Sequence, residues 1–264
     1  MPPIKVLIHG AAGKMGKEIA LGLSKDAELE IVGGVDMKPG IQGVPLANGK
    51  NAPYGTDLSA MLANLKPHVM VDFSSVEGSK IAVEKATKAG VNFVIGTTGL
   101  TNQEITTFAR LCDANRVGGV IAANFSMGAV LMIHLAKIAA SYFDYAEIIE
   151  LHHEEKTDAP SGTSIATAQA ISASRNKPLK RNVPTKESIR GARSAHEGGV
   201  TIHSVRMPGL VAHQEVMFGG LGQTLSIRHD TINRETYVPG VALAVKYVAK
   251  RKGLTQGLDK IMGL

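Results

Sequence analysis

The 264-residue sequence has a single cysteine, no apolar run approaching a membrane span, and no C-x-x-C or H-E-x-x-H spacing. One cysteine cannot close an internal disulfide. The missing zinc spacings leave no metal site to predict, since His153 and Glu155 would need a third ligand from elsewhere. Cys112 falls in a helix-like stretch, residues 102–115, with no base beside it, and reads as a small buried apolar residue. Lys5 and Gly10 interrupt the amino-terminal apolar run too early for a signal peptide. With no membrane span either, the expectation is a cytoplasmic protein. Repeats and low-complexity linkers are absent as well.

Aromatic residues are also scarce, at 4%, and that bears on the net charge of +6. The densest basic stretch, residues 175–193, holds Arg175, Lys177, Lys180, Arg181, Lys186, Arg190 and Arg193 against Glu187. It has no ring on which a base could stack and no helix-turn-helix pattern, so no nucleic-acid partner is expected. A solvated loop that concentrates anionic substrate and cofactor is the better reading.

What is present begins at the amino terminus. The run Ile4-Lys5-Val6-Leu7-Ile8 enters Gly10-Ala11-Ala12-Gly13-Lys14-Met15-Gly16, and an amphipathic stretch follows at 17–24. This is strand, glycine turn, helix, the arrangement that lets a backbone approach a pyrophosphate. The spacing is G-x-x-G-x-x-G, with Ala12 where the commoner pattern has its second glycine. A second strand, residues 29–35, ends at Asp36, whose carboxylate can accept from both hydroxyls of an adenine-linked ribose. A glycine-rich turn without a ligand is the plainer alternative, and the strand-end acid argues against it.

Further strand patterns at 68–73, 92–96 and 118–122 alternate with helical ones at 77–89 and 102–115. That alternation predicts a parallel, doubly wound sheet with its ligand beyond the carboxyl ends of the strands. Asp72-Phe73-Ser74-Ser75, Gly96-Thr97-Thr98-Gly99 and Ala122-Ala123-Asn124-Phe125 should then face one crevice as cofactor contacts. After a helix-like stretch at 127–142 the character changes. Strand patterns at 147–152, 200–207, 210–218 and 224–229, with glycine turns at Pro208-Gly209 and Gly219-Gly220, predict an antiparallel or mixed sheet. Its mixed alternation, with Val211, His213, Glu215 and Met217 on one side, suggests sheet-to-sheet contact between subunits. Residues 241–252 read as helix, and with the tail they are expected to return to the first domain.

The densest chemistry lies in His152-His153-Glu154-Glu155-Lys156-Thr157-Asp158-Ala159-Pro160-Ser161-Gly162-Thr163. Adjacent strand residues face opposite sides, so both histidines need polar partners. Pro160 and Ser161 should open a helix whose first N–H groups point at whatever Lys156 attracts, which suits a small anionic substrate.

These features occur in one order over essentially the whole chain: the glycine turn, Asp36, G-T-T-G at 96–99, A-A-N-F-S at 122–126, the 152–163 cluster, and I-H-S-V-R at 202–206. In this the sequence closely resembles the 4-hydroxy-tetrahydrodipicolinate reductase (dihydrodipicolinate reductase) family of diaminopimelate and lysine biosynthesis. The resemblance implies an α/β protein. Residues 1–125 would form a Rossmann-like, doubly wound dinucleotide-binding domain, rejoined by a C-terminal segment at 234–264. Residues 126–233 would form a central α+β mixed-sheet domain for substrate binding and tetramerisation, with hinges near Phe125 and Asn233. It also implies reduction of a cyclic dicarboxylate by NADH or NADPH, in a homotetramer. By position, His152 matches the family's proton donor or acceptor and Lys156 its proton donor and anion partner. His153, Gly162 and Thr163 match substrate contacts, and Gly10 to Gly16, Asp36, Gly96, Thr97, Thr98, Ala122, Ala123, Asn124 and Phe125 match the cofactor side. Many relatives carry a basic residue after the strand-end acid. This chain has Met37 and then Lys38, which leads us to expect NADH to serve at least as well as NADPH.

Overall fold

Alternation of apolar runs with amphipathic stretches produces, in the first half of the chain, six strands of a parallel sheet, to which the carboxyl-terminal segment adds a seventh. The computed structural model describes residues 2–180 and 183–264, so Arg181 of the basic stretch lies outside the described residues. The chain divides into two units, Met1–Met127 with Arg234–Leu264, and Gly128–Asn233. The strands of the first unit are β1 (Ile4–His9), β2 (Leu29–Val35), β3 (Val44–Pro45), β4 (Asn51–Ala52), β5 (Tyr54–Gly55), β6 (Val69–Asp72), β7 (Asn92–Ile95), β8 (Gly118–Ile121) and β14 (Gly253–Gln256). Their main sheet has the order β14-β8-β7-β6-β1-β2-β5, with every pairing parallel, while β3 and β4 pair separately. The helices of this unit are α1 (Lys14–Leu23), α2 (Leu58–Leu65), α3 (Val76–Lys88), α4 (Asn102–Asn115), α7 (Val238–Val248) and α8 (Leu258–Met262). Val6, Leu7, Ile8, Val69, Met70 and Val71 are fully buried, as expected where helices cover both faces of a parallel sheet. Strand order reverses at β1, which has β2 on one side and β6 on the other. Beyond the carboxyl ends of β1 and β6 such a sheet leaves its crevice.

Local chemistry sets the helix starts. Asp57 accepts from Ser59 N and Ala60 N at the head of α2, and Thr101 with Glu104 forms a capping box on α4. The helix α1 begins at Lys14, ahead of the expected stretch at 17–24, because Gly13 in an extended conformation already serves as its N-cap. The carboxyl-terminal helix also shifts, to Val238–Val248. Pro239 fits its first turn, and Gly253 at φ 78° then turns the chain into β14, so residues 249–252 are not helical. Cys112 is buried, and that burial pushes its thiol up to about 12, which keeps it an inert core residue.

The second unit carries β9 (Tyr145–His152), β10 (Ala195–Glu197), β11 (Val200–Arg206), β12 (Ala212–Gly220) and β13 (Gln223–Thr231), ordered β10-β11-β9-β12-β13. Strand β9 runs parallel to β11 and antiparallel to β12, a mixed sheet. One face packs against α5 (Met127–Ala140) and α6 (Gly162–Ala173) through Met132, Ala136, Ala168 and Ile171 on Ile148, Ile202, Val216 and Phe218. The other face is mixed, carrying Ile149, Leu151 and Met217 among charged pairs, with Glu147 paired to Arg193 and to His203 at 2.7 Å, and His213 paired to Asp230 at 2.7 Å. The turn expected at Gly219-Gly220 is instead strand. The β12–β13 hairpin closes at Leu221-Gly222, where Gly222 takes φ 70°. The basic stretch is exposed over residues 183–192, as a solvated loop should be, but its first member is not. The Arg175 side chain is buried and donates to the carbonyls of Ala140 and Phe143 near the end of α5, while exposed Lys180 pairs with Asp144 at 2.7 Å. Among the described residues, no helix is long and apolar enough to cross a membrane.

Candidate active site

In the first unit the crevice is shaped by what its residues lack. Gly10 sits at φ 80°, where a side chain is strained, and a Cβ there would lie 2.6 Å from the carbonyl oxygen of Phe73. A Cβ on Gly16 would lie 2.1 Å from the carbonyl oxygen of Gly10. The turn and α1 therefore meet at a distance only glycine allows. No side chain caps α1 at Gly13, so its first-turn N–H groups are the kind of orphan donors that attract phosphate. Beside them Asp36 accepts from Ala12 N at 3.0 Å, and Tyr54 Oη donates to Lys38 O at 2.6 Å to hold the strand-end turn. These residues fit a dinucleotide. A pocket of about 250 Å³ opens here, lined by Met15, by Phe73 to Val76, and by Gly96, Thr97 and Thr98.

Behind that lining lies Asp72, which is fully buried. It accepts from His9 Nδ1 at 2.7 Å, Ser74 Oγ at 2.6 Å, Thr97 Oγ1 at 3.0 Å, and from Ser79 Oγ. Burial opposes its ionisation, but the His9 imidazole and the hydroxyls outweigh it and hold the carboxyl below the usual range. One expected contact is altered by this network. The Thr97 hydroxyl donates to Asp72 and accepts from Ser74 N at 3.1 Å, so its backbone rather than its side chain is left for a ligand. Farther along, Ala122 and Phe125 are buried, and the Phe125 ring packs tilted on Phe73 at 6.0 Å. Asn124 Oδ1 closes a turn onto Ser126 N at 2.8 Å, and Ala123 is exposed.

In the second unit the site is made of charge. Strand alternation puts Glu150 and His152 on one face of β9, and Glu150 is fully buried. Its carboxylate accepts from His152 Nδ1 and, at 3.0 and 2.8 Å, from both terminal nitrogens of Arg206. Register explains the meeting, since Arg206 stands opposite His152 and Gln214 opposite Glu150. Burial opposes ionisation of Glu150, yet the imidazole and guanidinium outweigh it and bring the carboxyl down to about 2. Arg206 Nη2 also donates to Asp158 O at 2.7 Å, and the Asp158 carboxylate accepts from Lys156 Nζ at 2.6 Å. His152 and Lys156 are thus joined by one chain of polar contacts. His153 is half-buried just past the strand.

Helix α6 begins where the proline and serine suggested. Ser161 caps it by accepting from Ser164 N at 3.2 Å, which leaves the N–H groups of Gly162 and Thr163 uncapped by that side chain. No atom lies within 4 Å of a Cβ added to Gly162. Gln214 ties the helix to the sheet through Ser164 Oγ at 3.0 Å and Thr167 Oγ1 at 2.8 Å. Sequence reasoning assigned no site role to Glu150, and Arg206 entered only as the last residue of I-H-S-V-R at 202–206. The available signal was an acid two residues before His152, on the apolar phase of an alternating strand.

Known proteins match the chain along its length. Residues 4–125 match the family described as dihydrodipicolinate reductase, N-terminus, and residues 128–262 the one described as dihydrodipicolinate reductase, C-terminus. The sequence is 46% identical over 265 residues to the 4-hydroxy-tetrahydrodipicolinate reductase of Dehalococcoides mccartyi (strain ATCC BAA-2266 / KCTC 15142 / 195), covering 100% of each chain. It is 45% identical over 263 residues to that of Moorella thermoacetica, covering 98% of each. A solved dipicolinate-bound dihydrodipicolinate reductase from Paenisporosarcina sp. TG-14 is similar at TM-score 0.87 and 37% identity, over 98% of this chain and 99% of that one. An amine dehydrogenase from Mycobacterium smegmatis, 13% identical with TM-score 0.65, shares the fold alone.

Proposed function

The chain belongs to the dihydrodipicolinate reductase family, and on that footing we propose that it reduces 4-hydroxy-tetrahydrodipicolinate to tetrahydrodipicolinate with a reduced nicotinamide dinucleotide, in diaminopimelate and lysine biosynthesis. The observation that carries the reading is the joining of His152 to Lys156 through buried Glu150 and Arg206, in a chain that also has a glycine turn flanked by Asp36.

The chemistry divides between side chains and backbone. When bound, the reduced nicotinamide supplies a hydride. Hydride added to a conjugated imine, formed from the substrate by loss of water, leaves an electron pair on the ring that a proton must meet. His152 is placed to exchange that proton, with Lys156 as a second donor and as the partner of a ring carboxylate. The N–H groups of Gly162 and Thr163 would hold the carboxylate with Lys156, and His153 would contact the ring. Held in this way the substrate is oriented as well as bound. On the cofactor side, Gly10, Ala11, Ala12, Gly13, Lys14, Met15 and Gly16 would cradle the pyrophosphate, and Asp36 would take the ribose hydroxyls. Gly96, Thr97 and Thr98, with the 122–125 segment, would line the nicotinamide end. Asp36 disfavours a 2′-phosphate by like charge, so NADH should serve at least as well as NADPH.

The same reading makes residues 1–125 with 234–264 the dinucleotide-binding domain and 126–233 the substrate and assembly domain of a cytoplasmic homotetramer. The outer face of the mixed sheet supports that assembly, because it sets Ile149, Leu151 and Met217 among paired charges such as Arg228 with Glu215 at 3.5 Å, a pattern suited to contact with a second sheet. To test the function, the substrate is generated in situ from pyruvate and aspartate semialdehyde by the pathway's synthase, and oxidation of NADH and NADPH is followed. Oxidation that depends on both precursors is expected. None with either cofactor would overturn the reading.

A further inference from the structure

Resting on the reductase reading, we propose that Glu150 is the positioning residue for His152, fixing the imidazole through Nδ1 so that Nε2 exchanges the proton with substrate, and that Arg206 couples this pair to the Lys156 segment. Positions 146 and 148, on the same phase of β9 as Glu150, are Ala and Ile and pack in the core. Nothing in the packing asks for an acid at 150. A fully buried carboxylate is costly unless several donors meet it, and even a well-paired buried ion pair adds little stability over apolar residues of the same shape. Here two donors from Arg206 and one from His152 converge on it, and the Ser204 hydroxyl, opposite it on the neighbouring strand, is a further hydrogen-bonding partner.

That convergence has a chemical consequence. An ionised carboxylate only accepts, so the ring nitrogen facing it must carry a hydrogen. With Nδ1 held as N–H, the neutral imidazole has its lone pair on Nε2, and the imidazolium carries its second N–H there. The same nitrogen therefore gives and takes the proton. The imidazole and guanidinium that hold Glu150 at about 2, against the opposing effect of burial, keep it an acceptor throughout neutral pH. Arg206 adds the second half. Its forked bond to Glu150 sets the guanidinium plane, and Nη2 reaches on to the carbonyl of Asp158, whose side chain holds Lys156. A point charge in place of the fork could not make those contacts together.

Three measurements test this. In wild type, with histidine labelled at both ring nitrogens and His152 assigned by its loss in His152→Gln, NMR should show Nδ1–H in the neutral ring. A neutral Nε2–H tautomer overturns the proposal without any change at Glu150. In kinetics, Glu150→Gln should lower kcat by about 10-fold or more while cofactor Kd and substrate KM change by less than about 3-fold. The double variant Glu150→Gln/His152→Gln should be no slower than His152→Gln alone, because Glu150 acts through the imidazole. A merely structural acid would instead multiply the two losses. Arg206→Lys should raise substrate KM several-fold and leave cofactor Kd unchanged, and an unchanged KM removes Arg206 from the assignment. A wild-type chain inert toward the substrate overturns both this proposal and the reductase reading. An active wild type whose kcat survives Glu150→Gln overturns this one alone.

Discussion

The crevice beyond β1 is formed by leaving side chains out, whereas the site at the carboxyl ends of β9 and β11 is formed around a buried charge. At Gly10 and Gly16 backbone meets backbone, and an added methyl group has nowhere to go. At Glu150, His152 and Arg206 the shape would survive an uncharged residue of similar size, but the donor and acceptor pattern would not. The two regions should therefore fail in different ways. Damage in the first costs fold and cofactor affinity together, while damage in the second costs turnover with the fold intact.

The largest effect is expected in the charged region. His152→Gln should lower kcat about 10²-fold, near 2.7 kcal/mol in barrier, with a smaller change in KM. Lys156→Ala should harm both parameters, because it removes a charge used in binding and in the transition state. Cofactor affinity, measured by fluorescence titration, should survive both. Near-normal kcat in His152→Gln with the authentic substrate would remove the proton-transfer role.

A pair of glycines offers the next contrast. Gly16→Ala places its Cβ against the Gly10 carbonyl and should destabilise the protein by about 1–3 kcal/mol, with cofactor affinity falling as well. Gly162→Ala meets open space and should shift stability by no more than about 0.5 kcal/mol. Urea unfolding of the two variants decides it. Equal losses would mean that the first crevice is not held by close backbone contact.

Acid should separate the regions more gently. The folded-state pKa of Glu150 lies below its unfolded value, so the stability it contributes is present above about 4.5 and is lost as pH falls toward about 2. Asp72 has the same sign. From pH 4.5 to 3, wild type should lose on the order of 1 kcal/mol more than Glu150→Gln does, after allowance for the charges Arg206 and His152 share with it. Parallel urea-denaturation curves for the two proteins across that window would contradict the assignment.

Legibility in the sequence followed the same divide. The periodic segments β1, β2, α3 and α4 could be read because each carries its own repeat, as could the parallel sheet that their alternation implies. The helix α2 and the two-residue strands β3 to β5 could not, since nothing so short has a period. The strand β14 escaped notice because Gly253 ends a helical pattern that composition alone would continue. Within the site, the glycine turn and the 152–163 cluster are contiguous motifs and could be named outright. Arg206 lies 56 residues from Glu150, and they meet only through the parallel register of β9 with β11. Asp72 was read as facing the crevice but is buried behind it, since His9 and Thr97 reach it from neighbouring strands. Sequence spacing carries contacts made within a segment and loses those made across strands.

The smallest expected effect sits at the rim of the glycine-built region and tests how it treats the adenosine end of the cofactor. Asp36 is positioned by Ala12 N at 3.0 Å and Lys38 N at 3.4 Å, and Met37 is 92% exposed. A ribose with both hydroxyls would find an acceptor in Asp36, whereas a 2′-phosphate would meet like charge. The thioether of Met37 offers that phosphate nothing, and Lys38 gives at most a point charge. Met37→Arg adds a planar fork suited to phosphate without touching the turn or the core. It should raise kcat/KM for NADPH several-fold, worth about 1 kcal/mol or less, and leave NADH nearly unchanged. Steady-state kinetics with both cofactors measures the ratio directly. A wild type that already prefers NADPH about 10-fold or more, near 1.4 kcal/mol, would instead identify Lys38 as the phosphate ligand and make Lys38→Met the change that restores parity.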